Sequence, residues 1–354
     1  MYTTLSTSIR VLVNAEALNM AESVGNYTRH RKAPIVLYSG GEYSVIYAPA
    51  VSGEALAHGY QQLLAQIGKS RNLPITMLDQ QGYFLKFSST DILNNWYPEL
   101  TSIIGQKDIS KWVNNSRLED IEKAFLKASI VADIGGFLLA EKLLKRTSAI
   151  RFSYMVPTLD ALTGGGAAIT PQLHVRYAPP EIQKEEQAII YVESGSALYT
   201  FTAELVASDI GKLFYSKQSD PDLDKQKCDR IKAAIDALIS LIDGILFGAK
   251  RSRYMPLWNI RSIVVTVSNG PVEFIASPGL TKSFIKETYE RAVALTKALH
   301  DEEVINIYTY CSEEIEKPEL KTDVKNVTYE ETNSHTEALL KAKEKILELL
   351  KCSK

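Results

Sequence analysis

The chain has 354 residues, 45% hydrophobic and 23% charged, which suits two or three packed units and excludes disordered and fibrous classes. A formal charge of −2 excludes a protein that is basic throughout. Eleven acids and only three bases fall between residues 301 and 337, however, so the remainder holds 37 bases against 31 acids, an excess that leaves room for an RNA-binding face.

The N-terminus lacks a cationic region followed by an apolar core, and no apolar run reaches the roughly 20 residues of a spanning helix. A cytoplasmic protein with no membrane partner is expected. Alternation of Ile9, Val11 and Val13 predicts the first strand. It runs through Asn14, Asn19, Gly25 and Asn26 into a basic knot, Arg29, His30, Arg31 and Lys32. Amides donate and accept at base edges or 2′-hydroxyls, arginines clamp phosphate, and a histidine stacks or donates, so the stretch suits a polyanion; a solvated surface loop would read the same way. Residues 35–38 and 43–47 flank Gly40 and Gly41, which supply the positive φ of a hairpin turn. Ser52 then caps a helix with Leu56, Tyr60, Leu63, Leu64 and Ile67 on one stripe. The amides of Gly53 to Ala55 are either a phosphate seat or the start of a structural helix.

Residues 72–145 hold polar loops, Trp96, Trp112 and a helix over 118–132, and read as an inserted, mostly helical subdomain. Strands are expected at 149–157 and 171–177. The connection 158–170, with Gly164, Gly165 and Gly166, matches no nucleotide-binding spacing and reads as the mobile tip of a long hairpin. Two more strands follow at 188–192 and 198–206, then an amphipathic helix over 228–247 carrying Ile231, Ile235, Leu238, Ile239, Ile242, Ile245 and Leu246. Gly248 ends it and releases another basic stretch with Lys250, Arg251 and Arg253. A closing strand at 260–267, a helix over 282–299, the acidic segment as a surface loop and a terminal helix over 336–350 complete the chain.

Cys228, Cys311 and Cys352 stand at no metal-ligand or redox spacing and read as free thiols in a reducing compartment. No metal, cofactor or nucleophile motif is present. An endoribonuclease would have to draw its acid and base from His30, His58 and His174; His58 sits on the helix stripe, and His174, beside Arg176, suits an RNA contact as well as catalysis. A structural protein that self-assembles without RNA is the other alternative.

Stripped of its insertions, the order strand, helix, two strands, helix, strand is that of a ferredoxin-like or RRM fold. The stretches beginning Val13-Asn-Ala-Glu, Glu22-Ser-Val-Gly, Val51-Ser-Gly-Glu, Val131-Ala-Asp-Ile, Lys145-Arg-Thr-Ser, Gln172-Leu-His-Val-Arg and Phe247-Gly-Ala-Lys-Arg-Ser-Arg resemble the archaeal backbone subunit of the CRISPR Cascade complex, the DevR-like family of the RAMP superfamily. The resemblance implies an α+β chain shaped like a hand. An RRM-like palm would take residues 1–70 and 147–270, a helical finger domain 71–146, and a thumb hairpin about 153–176, with 271–354 packing on the palm. It also implies a non-catalytic subunit, without cofactors, that assembles head to tail with its own copies along a CRISPR guide RNA. Other Cascade subunits join it, and target DNA is read through the guide in antiviral defence. Binding that tolerates any spacer sequence must address phosphate and ribose. The cations expected there are Arg29, Arg31, Lys32, Lys145, Arg146, Arg176, Lys250, Arg251 and Arg253, with Asn14, Asn19, Asn26, His30, Ser52 and His174 as polar companions. Met155, Leu159 or Leu162 would wedge between bases or simply pack.

Overall fold

Strand β1 (Tyr2–Glu16) is the axis of a mixed sheet. The computed structural model describes residues 1–176, 188–244, 246–300, 302–321 and 324–352. After β1 come β2 (Met20–Val24) and β3 (Tyr27–His30), then a separate hairpin of β4 (Lys32–Ser39) and β5 (Glu42–Pro49), turning at Gly40 (φ 63°) and Gly41 (φ 87°). Helix α1 (Gly53–Ser70) leads into α2 (Met77–Gln81), α3 (Thr90–Trp96), α4 (Pro98–Ile104), α5 (Ile109–Asn115), α6 (Leu118–Ala128) and α7 (Ile130–Gly135). A small ladder of β6 (Phe137–Leu139) and β7 (Leu144–Arg146) closes that helical region. Short strands β8 (Ile150–Phe152) and β9 (Val156–Pro157), helix α8 (Leu159–Thr163) and strand β10 (Ala167–Arg176) precede the long β11 (Ala188–Val206). Helix α9 (Pro221–Asp243), β12 (Leu257–Gly270), α10 (Phe284–Ala298), β13 (Val304–Cys311), β14 (Val327–Glu331) and α11 (His335–Leu349) follow.

The main sheet runs β14, β13, β12, β1, β11, β3, β2, with β8, β9 and β10 also on β11. Ile9 stands opposite both Phe201 and Ile263 in antiparallel ladders. The odd positions Leu5, Ile9, Val11 and Val13 are buried in one cluster with α1 and α9, where the Tyr60 hydroxyl donates to the Ala234 carbonyl at 3.0 Å. The even positions Ser6, Ser8 and Arg10 are buried too, because residues 276–279 cross the other face: Ala276 N–H donates to Ser6 Oγ at 3.2 Å and Gly279 N–H to Ser8 Oγ at 2.9 Å. Arg10 is held there by Asp160 at 2.6 Å and Glu313 at 2.9 Å.

Residues 77–146 share a second apolar cluster with Leu213 and Leu223, centred on Phe87, Phe125 and Phe137; the Phe87 and Phe125 rings stack at 4.2 Å. The helix expected over 118–132 is two helices, because Ser129 leaves the helical backbone and caps α7 by accepting from Ala132 N–H at 3.0 Å.

Several expectations need correction. Gly164 to Gly166 form no hairpin tip; they close α8, with Gly166 N–H donating to the Ala161 carbonyl at 2.6 Å, and Leu159 N–H ties that turn to Leu280 at 2.9 Å. The hairpin is instead β10 with the first half of β11, and the expected strand end at Tyr177 lies outside the described residues. Residues 188–206 are one strand rather than two. Helix α9 starts earlier than expected because Asp220 caps it and Pro221 occupies its first turn; Ile245 lies outside the described residues. The acidic segment is no plain loop: Ile305 and Ile307 alternate inward on β13, and their strand extends the main sheet, with Glu303 buried and Glu313 turned in to Arg10. Cys228 and Cys352 are not free thiols but a disulfide across 124 residues, because α11 packs beside α9; Cys311 is free. Among the described residues, no helix is long and apolar enough to cross a membrane.

Candidate nucleic-acid interface

The basic stretches at 29–32 and 250–253 meet at Leu18. A register shift between Val13 and Glu16 turns the chain out of β1, and the Leu18 N–H donates to Glu16 Oε2 at 2.8 Å. The Leu18 carbonyl accepts from Ala249 N–H at 2.9 Å. Gly248 has φ +98°, and a Cβ there would stand 2.6 Å from Leu18 Cδ2, so only glycine fits this crossing. Two stretches more than 200 residues apart are thereby fixed side by side.

Strand β11 brings a third element to the same place. Tyr191 pairs with Tyr27 of β3 on one edge and with Leu173 of β10 on the other. The Tyr27 and Tyr191 rings stack at 5.9 Å. Asn26 holds this junction, donating from Nδ2 to the Ile189 carbonyl at 2.8 Å. His174 of β10 hydrogen-bonds Tyr254, and together with Leu173, Ile190 and Arg253 it lines a shallow cavity. A second cavity lies against Tyr27, Arg29, Lys32 and Glu193.

Lys32, Lys250, Arg251 and Arg253 form no ion pair among the described residues. Arg31 is half-buried, and its Nε is enclosed without a hydrogen-bond partner. A donor of that kind calls for an acceptor that the described residues do not supply. Arg29 differs, since Glu22 holds it at 3.0 Å on the surface. Asn14 is half-buried at the end of β1, opposite Leu257 of β12. Arg176 ends β10, and its side chain lies outside the described residues.

Four expected contacts belong to the scaffold. The His30 ring is fully buried, with Nε2 at 2.5 Å from Glu16 Oε1 and Nδ1 donating to the Arg31 carbonyl at 2.7 Å. Burial pulls its pKa down, but Glu16 and the Arg31 carbonyl outweigh that and leave it raised. The carboxylate also accepts from Tyr199 OH at 2.8 Å. Arg146 is buried as well, at 2.6 Å from Asp133 and 3.2 Å from Glu122, with Arg230 at 2.9 Å on the other Asp133 oxygen. Alternation on β7 turns it inward and leaves Lys145 outside, beside Tyr215. Asn19 and Ser52 serve one joint: Asn19 Oδ1 accepts from Ser52 N–H at 2.9 Å and Ser52 Oγ from Ala55 N–H at 3.2 Å. The α1 N-terminus is therefore no open phosphate seat, and Gly53 is closed off by the Phe152 carbonyl, 2.5 Å from where a Cβ would lie.

Tyr254, Tyr27 and Tyr191 were not singled out from the sequence, although Tyr27 and Tyr254 flank the basic stretches. Aromatic rings among unpaired cations suit single-stranded nucleic acid, whose bases stack while the phosphates meet Arg and Lys. Among the described residues no group of three His, Cys, Asp or Glu could hold a metal ion.

Residues 7–289 match the family described as the CRISPR-associated negative auto-regulator DevR/Csa2. The chain is 40% identical to the CRISPR-associated protein Cas7/Csa2 1 of Saccharolobus solfataricus over 288 residues, which is 79% of this chain and 84% of that one. It is 40% identical to a second protein of that organism, the CRISPR-associated aCascade subunit Cas7/Csa2 2, over 81% and 86% of the two chains. A CRISPR-associated protein Cas7/Cst2/DevR of Thermoproteus tenax is 26% identical over 82% of each chain. A solved chain titled CRISPR RNA-guided surveillance complex, pre-nicking, aligns with a TM-score of 0.48 at 10% identity, covering 98% of this chain and all of that one.

Proposed function

Because the chain belongs to the DevR/Csa2 family of CRISPR-associated proteins, we propose that it is the Cas7-type backbone subunit of an archaeal Cascade surveillance complex and that it holds guide RNA without cutting it. The observation that carries the RNA contact is the cluster of cations without an ion-pair partner among the described residues, Arg31, Lys32, Lys250, Arg251 and Arg253, gathered around Leu18 with His174 and Tyr254 beside them. Their charge addresses phosphate and carries no base readout, as a subunit that accepts any guide requires.

The proposed palm comprises β12, β1, β11 and β8, in that spatial order, with α1 and α9 on one face; this is the ferredoxin-like order. The helical region 71–146 is then the fingers, and the β10/β11 hairpin the thumb. The palm differs from a classical RRM in one respect. The sheet face on which an RRM stacks bases is occupied by residues 276–279, so RNA is placed beside β3 and β10, at the start of β11, instead.

Each histidine offered for ribonuclease chemistry has its own engagement: His30 with Glu16, His58 edge-on to Phe84 and His174 with Tyr254. An acid and base working together would share one site. This supports the non-catalytic reading.

Equilibrium binding of unrelated single-stranded RNAs over a salt series tests it. The Lys250→Ala, Arg251→Ala, Arg253→Ala triple variant should bind more weakly, with a slope of log K against log salt shallower by about 2, since each lost contact to single-stranded phosphate removes roughly 0.7. Binding unchanged in affinity and slope would return these residues to ordinary surface.

A further inference from the structure

A cleft of about 450 Å³ opens between the second half of α1, helix α2 and residues 246–251. Gln62, Gln66 and Gln81 face it with carboxamides that make no hydrogen bond among the described residues. Lys69 and Arg251 stand with them; Lys69 donates to Gln80 Oε1 at 2.8 Å, and Arg251 has no partner among the described residues. Asp79, the acid in the wall, is turned inward and already accepts from Ser129 Oγ at 2.7 Å and Thr76 N–H at 3.2 Å. Leu246, 42% exposed, adds an apolar side. Gly82, with φ +79°, ends α2 and leaves room for Gln62, whose Nε2 is 3.2 Å from where a Cβ would lie.

Such a lining fits a ligand that carries donors, acceptors, a flat apolar face and negative charge. A carboxamide offers both a donor and an acceptor edge and can turn over to present either, so it accommodates any base edge or a ribose hydroxyl. Two cations without a competing free carboxylate suit one phosphate. Volumes of roughly 300 to 1,000 Å³ are usual for small-ligand sites. Arg251 belongs both to this cleft and to the basic turn 250–253, so a strand lying on that turn continues into the cleft.

We propose that the cleft takes one nucleotide of single-stranded RNA, with Gln62, Gln66 and Gln81 on its base or ribose edge and its phosphate between Lys69 and Arg251. The inference rests on the RNA-binding reading above.

The test uses the full chain and mixed-sequence single-stranded RNA carrying 4-thiouridine. Three proteins are compared over a salt series: wild type, Lys250→Ala with Arg253→Ala, which spares the cleft, and Gln62→Ala with Gln66→Ala and Gln81→Ala. Wild type should crosslink within residues 62–82. The glutamine variant should lose that crosslink and bind about tenfold more weakly, as expected for a few lost hydrogen bonds, with its salt slope unchanged because neutral groups release no counterions. The lysine–arginine variant should show the shallower slope. Wild-type RNA binding with a glutamine variant within twofold of it and no crosslink in 62–82 would overturn the cleft proposal alone. Absence of RNA binding by the wild type would overturn both readings. Sub-millimolar binding of free AMP or UMP that RNA fails to displace would make this a free-nucleotide site and overturn the proposal as well.

Discussion

Neighbouring basic residues here have opposite roles, and burial separates them. Arg146 satisfies two buried carboxylates, so Arg146→Ala should cost about 3 to 5 kcal/mol in urea unfolding, whereas Lys145→Ala should cost under about 1 kcal/mol. Equal effects would mean that the buried network is not formed. His30 makes a prediction with a sign. Its raised pKa means that its contribution is full below the unfolded value of about 6.5 and fades as pH rises through the folded value. Unfolding free energy measured from pH 6 to 9 should therefore fall more steeply for wild type than for His30→Gln; parallel profiles would refute the raised pKa. Neither role is legible in the sequence. Arg29, His30, Arg31 and Lys32 look alike as letters, and only the pairing of β3 with β11 decides which of them meets Glu16 and which is left open.

At the scale of elements, patterns short in sequence were the most legible. Ser52 as the α1 cap, the Gly40 and Gly41 turn and the stripe of α1 follow from local chemistry, and each stands in the structure. Signals in long insertions were harder to weigh. The alternation of β13 was masked by the surrounding acids, and the glycines at 164–166 suggested a free tip when they only close a short helix. The terminal helix gives a testable case. Its disulfide to α9 should stabilise the chain by about 2 to 4 kcal/mol, lost on reduction or in Cys228→Ser. Thiol titration should count one free cysteine in the unfolded oxidised chain and three after reduction. That single thiol, Cys311, should react slowly in the native state, since burial pushes its pKa up to about 11. Three reactive thiols without reductant would remove the bridge.

For the whole molecule, the net charge of −2 hides a division of labour. Acids gather in the segment around β13 and β14 at one end of the sheet, while the cations left unpaired among the described residues gather where the β4 start and the turn 250–253 meet at Leu18. If copies assemble on an RNA template, their multimers should dissociate with nuclease and with rising salt, because the phosphate contacts release counterions when formed. Light scattering of the RNA-loaded protein before and after nuclease checks this. A multimer indifferent to both would favour assembly through protein contacts alone.

By itself the sequence determined what depends on neighbours in the chain: periodicity, caps, turns, the α+β order of elements, and, through its motifs, the family. The tertiary structure alone decided what depends on residues hundreds of positions apart. It set Leu18 against Ala249, Cys228 against Cys352 and Arg10 against Glu313, and it separated the cations neutralised in the interior from those left unpaired at the surface. The reason is physical. A charge is written in the sequence, but its partner and its distance from water are properties of the packing.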